Sequence, residues 1–353
     1  MLRTWRQRVT LTDVFIWLIG LAIAAAVVWG TIKTLELHLY TGSGWADLTI
    51  RGLALGGVYA LIAMGYTMVY GILKMINFAH SEVFMSGPFA AVFVALGLSK
   101  SGFLDRQPVL GLAIIAVVAM GVSAGIALLL ERICYRPLRT APRLVPLITA
   151  IGASFFLQYT FRGLFGSGSF GYPAIKALSG SFTIAGIQIF NTQAVVIGGA
   201  VVMMLILFGI VQWTKIGKAM RAVSEDKEAA ELMGINVDQI IVFTFFLGGA
   251  SAGAAGVLYT LLFPVVNFYM GFIPGIKAFT AAVLGGIGNV PGAFLGAIIL
   301  GLLESVGPNL FLTGLGIPSP SQLKDAIAFI VLVLILIFRP TGILGERISR
   351  DKA

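Results

Sequence analysis

The chain has 353 residues, 58% of them apolar and only 11% charged, with a mean hydropathy of +0.97. That composition excludes a water-soluble globular domain and describes a protein that crosses a membrane many times. The formal charge of +9 sits in short segments beside apolar runs and reads as membrane orientation rather than a nucleic-acid footprint, while one cysteine, Cys134, and two histidines exclude an intrachain disulfide and argue against a structural metal site.

Ten membrane segments are predicted, at about 13–33, 45–72, 82–99, 109–131, 144–163, 193–214, 239–262, 274–289, 291–312 and 323–338. The eighth is too short for an upright span and reads as re-entrant. Arg3, Arg6 and Arg8 before the first segment resemble the start of a signal peptide, but no small-x-small cleavage site follows, so a retained helix is expected. The 44 glycines and many alanines suit close helix approach in lipid, where small residues rather than water exclusion bring helices together.

With the N terminus inside, the inner segments hold Arg3, Arg6, Arg8, Lys74, Arg132, Arg136, Arg139, Arg143, Lys215, Lys218, Arg221, Lys227, Arg339, Arg347, Arg350 and Lys352, sixteen of the 24 basic residues. This two-to-one excess follows the positive-inside rule and places both chain ends in the cytoplasm.

Two apolar stretches are interrupted, around Lys74 to Ser86 and around Pro264 to Gly275, where Asn, Gly and Pro break regular helix. They carry an internal echo: Ile76-Asn77-Phe78, followed by Phe89-Ala90-Ala91-Val92, parallels Val266-Asn267-Phe268, followed by Phe279-Thr280-Ala281-Ala282-Val283. On the topology above Asn77 falls near the inner side and Asn267 near the outer, so the copies are inverted. The fold class expected is an all-α polytopic membrane protein built as a 5+5 inverted repeat with broken or re-entrant helices. A pathway lined by exposed backbone together with Asn77, Phe78, His80, Glu82, Asn267 and Phe268 is one reading of the breaks, and ordinary interfacial turns are the other. A proton relay through His80 and Glu82 is disfavoured, because both are expected close to the inner boundary, where a solvated charge is cheap. Lys277, Glu304 and Lys324-Asp325 are expected near helix ends, where snorkelling or local pairing accounts for them.

The largest charge cluster is a polar island from Arg221 to Ile235 between two long apolar runs. Ser224 is read as an N-cap, Glu225 and Asp226 as the first turn where the helix dipole favours anions, and Gly234 as the stop, which encodes a helix of about ten residues. Ala229, Leu232 and Met233 form one narrow apolar face, too small for membrane insertion but suited to a groove on a soluble partner; a connecting helix resting on the bundle is the alternative.

Glu228-Ala229-Ala230-Glu231-Leu232-Met233-Gly234 resembles the Glu-Ala-Ala-x-x-x-Gly loop of ABC-importer permeases, although Thr244, Phe246 and Leu247 replace the usual Ile-x-Leu-Pro continuation. The segments Tyr59 to Gly71, Met75 to His80, Lys277 to Gly288 and Arg339 to Gly345 resemble LivH-type permeases, as do Glu131-Arg132, Tyr135-Arg136-Pro137, Arg221-Ala222 and Glu225-Asp226. The resemblance spans about 45–345. It implies an importer of branched-chain or related amino acids in which this chain pairs with a homologous LivM-like second permease, two cytoplasmic ATPases and an extracytoplasmic substrate-binding protein in a bacterial inner membrane. It also implies that Arg221, Glu225, Asp226, Glu228, Ala229, Ala230, Leu232, Met233 and Gly234 couple to the ATPase. No Gly-x-x-x-x-Gly-Lys-Ser/Thr loop is present, so the chain is expected to bind no cofactor of its own and to do no enzymatic chemistry, with ATP and Mg on partner chains. The division expected is 1–44 as cytoplasmic tail, extra transmembrane helix and outer linker, 45–345 as permease with a coupling helix at 224–234, and 346–353 as cytoplasmic tail. Urea and short-amide permeases are the alternative within the family; an ion-coupled secondary transporter lies outside it.

Overall fold

A computed structural model describes residues 11–345 except 143, 185 and 340. Of the basic set above, Arg3, Arg6, Arg8, Arg143, Arg347, Arg350 and Lys352 lie outside the described residues, as does the 346–353 tail. The helices are α1 (Leu11–Glu36), α2 (Gly42–Leu73), α3 (His80–Lys100), α4 (Phe103–Arg106), α5 (Pro108–Leu130), α6 (Leu144–Phe165), α7 (Asn191–Trp213), α8 (Lys215–Glu225), α9 (Lys227–Leu232), α10 (Val237–Leu262), α11 (Phe272–Gly285), α12 (Val290–Gly307) and α13 (Lys324–Phe338). Four short strands, β1 (Phe170–Gly171), β2 (Ser181–Ile184), β3 (Ile187–Phe190) and β4 (Val265–Val266), form two antiparallel pairs, β1 with β4 and β2 with β3.

Among the described residues nine helices are long and apolar enough to cross a membrane. With α11 they coincide with the ten expected segments. α11 has 14 residues, about 21 Å of helix against a hydrocarbon layer of roughly 30 Å. The long helices alternate in direction, so one end of the bundle gathers Arg132, Arg136, Arg139, α8 and α9 (the basic face) and the other gathers the β2–β3 hairpin (the hairpin face).

The bundle is organised around α2, most of which is buried from Gly52 to Ile72. Apolar side chains on every side of a helix predict such a position, and glycine sets how close its neighbours come. A Cβ on Gly301 of α12 would lie 2.5 Å from the Gly52 carbonyl oxygen and from the Gly56 nitrogen of α2. On the other flank, a Cβ on Gly253 of α10 would lie 2.5 Å from the Ala119 oxygen of α5, and one on Gly256 would lie 2.5 Å from Pro88 of α3. Backbone thus meets backbone along α2–α12 and α5–α10, the close approach that glycine permits.

α1 stands apart. Its outward side chains Phe15, Trp17, Leu18 and Leu21 are exposed, and it meets the bundle where Gly30 abuts Phe311 and Trp17 packs on Phe338 with ring centroids 5.5 Å apart. On the basic face Arg136 donates to Asp238 (2.8 Å), and Arg139 bridges Asp238 and the buried Glu131, which ties the turn after α5 to the start of α10.

Candidate functional site

The first chain break joins α2 to α3 through residues 74–79. Lys74 ends α2 in the left-handed region (φ 56°), and the chain folds back so that α3 begins two turns inside the end of α2, with His80 against Gly65 and Tyr66. Asn77 is buried, and its Oδ1 accepts from the Tyr135 hydroxyl at 2.5 Å. Phe78 packs on Phe279 of α11 (ring centroids 5.7 Å). The second break joins α10 to α11 through residues 263–271. There Asn267 is half-buried and turns its Oδ1 onto the Tyr269 amide at 3.2 Å, while Phe268 lies under the Arg162 guanidinium at 5.4 Å.

The two breaks reach each other through the starts of their following helices, because Gly271 and Gly275 press directly on Ser81. Any side chain larger than hydrogen at either glycine would collide with α3. Next to this contact Glu82 is fully buried, its Oε1 accepting from Gln158 Nε2 (2.7 Å), Ser154 Oγ (3.2 Å) and Ser81 Oγ (3.3 Å). Ser154 and Gln158 stand halfway along α6, so Glu82 lies deep in the bundle and not at a solvated boundary. His80 is buried likewise. The expectation that these two groups sit where charge is cheap is therefore corrected: the fold-back of residues 74–79 carries the start of α3 toward the centre. Glu82 has no basic partner within ion-pair distance among the described residues, and its Oε2 has no hydrogen-bond partner.

The island on the basic face differs from its sequence reading. Asp226, not Ser224, caps the short helix: its Oδ1 accepts from the Ala229 amide at 3.0 Å, while the Ser224 hydroxyl donates to the Arg221 carbonyl within α8. The expected ten-residue helix is two helices meeting at Asp226, with Glu225 the last residue of α8 rather than in a first turn. The acidic cap outcompetes the serine because it sits where the amides of α9 are unpaired. Gly234 does stop the helix, at φ +82°. Arg221 reaches back to the Val211 carbonyl and to Gln212 Oε1 (3.1 Å), so it caps the end of α7 instead of facing outward, and Ala230 is buried against the bundle. Glu225, Glu228 and Ala229 are exposed, and Leu232 and Met233 are 89% and 82% exposed, a bare apolar step held up by a capped helix. Beside it Lys227 is held below the ordinary lysine value by partial burial, then by the charges of Arg139 and Lys74.

Against this geometry, residues 48–336 match the family described as branched-chain amino acid transport system permease component. The chain belongs to that family. It is 44% identical over 303 residues to the high-affinity branched-chain amino acid transport system permease protein BraD of Pseudomonas aeruginosa, covering 84% of this chain and 94% of the relative. It is similarly related to the permease proteins named LivH of Salmonella typhimurium (42% identical over 304 residues) and Escherichia coli K12 (40% over 301 residues), with the same coverage in each case.

The permease holds one charged group that the sequence reading treated as separate pieces. Lys277 of α11 contacts Glu304 of α12 at 2.5 Å and Asp325 of α13 at 2.6 Å, and the Tyr59 hydroxyl reaches Glu304 at 3.4 Å. Lys277 and Glu304 are both buried, so pairing across helices and not snorkelling accounts for them. The partners of Glu82 were not singled out from sequence, although Ser154 and Gln158, four apart on a strongly apolar helix, mark one polar face.

Proposed function

We propose that this permease moves branched-chain amino acids inward across a bacterial cytoplasmic membrane, as one transmembrane half of an ABC importer. The named activity of its relatives and the extent of their match support the substrate class. The observation that carries the coupling is the exposed Leu232–Met233 step beyond the Asp226 cap. Two large apolar side chains left almost wholly bare on a short capped helix suit a groove on a soluble ATPase, with Glu225 and Glu228 beside them to pair with basic groups.

In this reading the basic face is cytoplasmic, by the positive-inside rule, and both chain ends lie there. A homologous second permease completes the translocation path, a substrate-binding protein delivers to the hairpin face, and ATP with Mg is bound by the two ATPases. Closure of the ATPases pushes α9; α8 and the Arg221 cap pass the load to the end of α7, and the start of α10 receives it through Asn236 and Val237. The breaks at 74–79 and 263–271, related as an inverted pair, are where the bundle yields, because there helix hydrogen bonds give way to side-chain partners such as Asn77 and Tyr135.

The test is uptake in proteoliposomes containing the permease, its partner permease and ATPases, with the binding protein outside. Leucine, isoleucine and valine accumulate only with ATP inside, and urea does not compete. Leucine uptake driven by an ion gradient without ATP, or uptake of urea in place of leucine, would overturn this reading.

A further inference from the structure

On the hairpin face a cavity of 560 Å³ opens between the outer ends of α2, α7, α10 and α12 and the start of α13. Its volume falls within the roughly 300–1,000 Å³ typical of small-molecule sites. One wall is apolar, with Leu55 of α2 and Leu262 and Phe263 where α10 enters the second break. Glu304 lines it from α12, and Arg51 and Lys324 line it from α2 and α13.

The charges balance in number but not in pairing. Lys277 neutralises only one of the two carboxylates it touches, so the group of Lys277, Glu304 and Asp325 keeps one surplus negative charge. Glu304 Oε2 is buried with no hydrogen-bond partner. Lys324 pairs with no carboxylate among the described residues, which leaves a surplus positive charge, whereas Arg51 is matched by Asp47 at 2.9 Å. An unpartnered carboxylate oxygen of Glu304, the unpaired ammonium of Lys324 and an apolar wall around one space call for a ligand with an ammonium, a carboxylate and a hydrocarbon branch.

We propose that this cavity is a binding site, within this one chain, for a zwitterionic α-amino acid with an aliphatic side chain. The α-ammonium faces Glu304, the carboxylate faces Lys324, and the side chain lies against Leu55 and Leu262. The inference rests on the amino-acid reading of the transporter and adds a station that the substrate occupies on the hairpin side before the second break.

The experiment is equilibrium binding of radiolabelled L-leucine to the purified permease assembly in nanodiscs, with neither ATP nor binding protein. Saturable binding is expected, with 3-methylbutylamine and 4-methylpentanoate, each lacking one of the two charges, binding at least tenfold more weakly. Glu304→Gln is expected to weaken leucine binding at least tenfold. Leu55→Trp fills the cavity from a wall that carries no charge and is expected to abolish binding; it serves where Glu304→Gln disturbs assembly. Absence of saturable binding in a preparation that still imports leucine once all partners are supplied would overturn this inference alone. Binding untouched by both substitutions, or 3-methylbutylamine binding as tightly as leucine, would do the same. Saturable leucine binding without ATP-driven leucine uptake would instead overturn the transport reading.

Discussion

Replacing both Leu232 and Met233 by alanine tests whether α9 is the contact that receives ATPase motion. Each substitution removes three side-chain heavy atoms from positions 89% and 82% exposed in the free permease. At about 0.8 kcal/mol per buried methylene, full burial in a partner groove makes the pair worth about 4 kcal/mol, roughly a thousandfold in Kd. Because neither side chain is packed against its own bundle, the melting temperature of the permease should stay within about 2 °C of wild type. Binding of the ATPase to nanodisc-held permease, measured by biolayer interferometry, gives the first quantity and differential scanning fluorimetry the second. Ala230→Asp supplies the opposite pattern, since Ala230 is buried and its replacement should lower the melting temperature. An ATPase affinity within threefold of wild type in the double alanine variant would refute the reasoning and leave α9 as a connecting helix.

Glu228→Lys should reverse a contact charge and Gly234→Val should impose about 1–2 kcal/mol of left-handed strain on the helix stop at φ +82°; both should insert normally and lower substrate-stimulated ATP hydrolysis, and wild-type stimulation in both would remove these positions from the coupling surface. Cys134 is half-buried in the turn after α5 on the basic face, so an impermeant maleimide should label it in inverted vesicles and not in intact cells, with a cysteine at the exposed Ser169 giving the reverse; equal labelling from outside would invert the orientation. Asn77→Leu and Asn77→Trp should both lower stability, because the buried Tyr135 hydroxyl loses its acceptor at a cost of about 1–3 kcal/mol, and in complexes that still elute assembled Asn77→Trp should block uptake; wild-type uptake by the Trp variant would take the first break out of the path.

The membrane helices were legible because each is a run of apolar residues long enough to announce itself, and even the shortness of α11 showed in the sequence. Glu82 was not, because its depth depends on the chain folding back over residues 74–79, and a hydropathy profile measures position along the chain rather than across the bilayer. Likewise Lys277, Glu304 and Asp325 come from three helices, so no local pattern shows that they meet. Ser224 and Asp226 were both plausible caps by residue type. Which one sits at unpaired amides depends on where α8 ends, and that is set by the packing of Met220 and Val223 into the bundle. Leu232 and Met233, by contrast, could be picked out as one apolar face from spacing, although that they stand bare while Ala230 is buried is set by how α9 lies on the bundle.

The arrangement around Lys277 bears on how the protein is made. α11 spans about 21 Å and carries a lysine in its interior, so it is a poor substrate for insertion on its own; a charged side chain at the centre of a helix costs about 2.5–3.5 kcal/mol on the insertion scale. Glu304 places a similar burden on α12, and only four residues, 286–289, separate the two helices. If they leave the translocon as one hairpin, the opposite charges enter lipid already neutralised, and Asp325 then draws in α13 as the second carboxylate on the same ammonium. On that route α11, α12 and α13 enter the membrane as one unit, each helix helped in by the one that follows it.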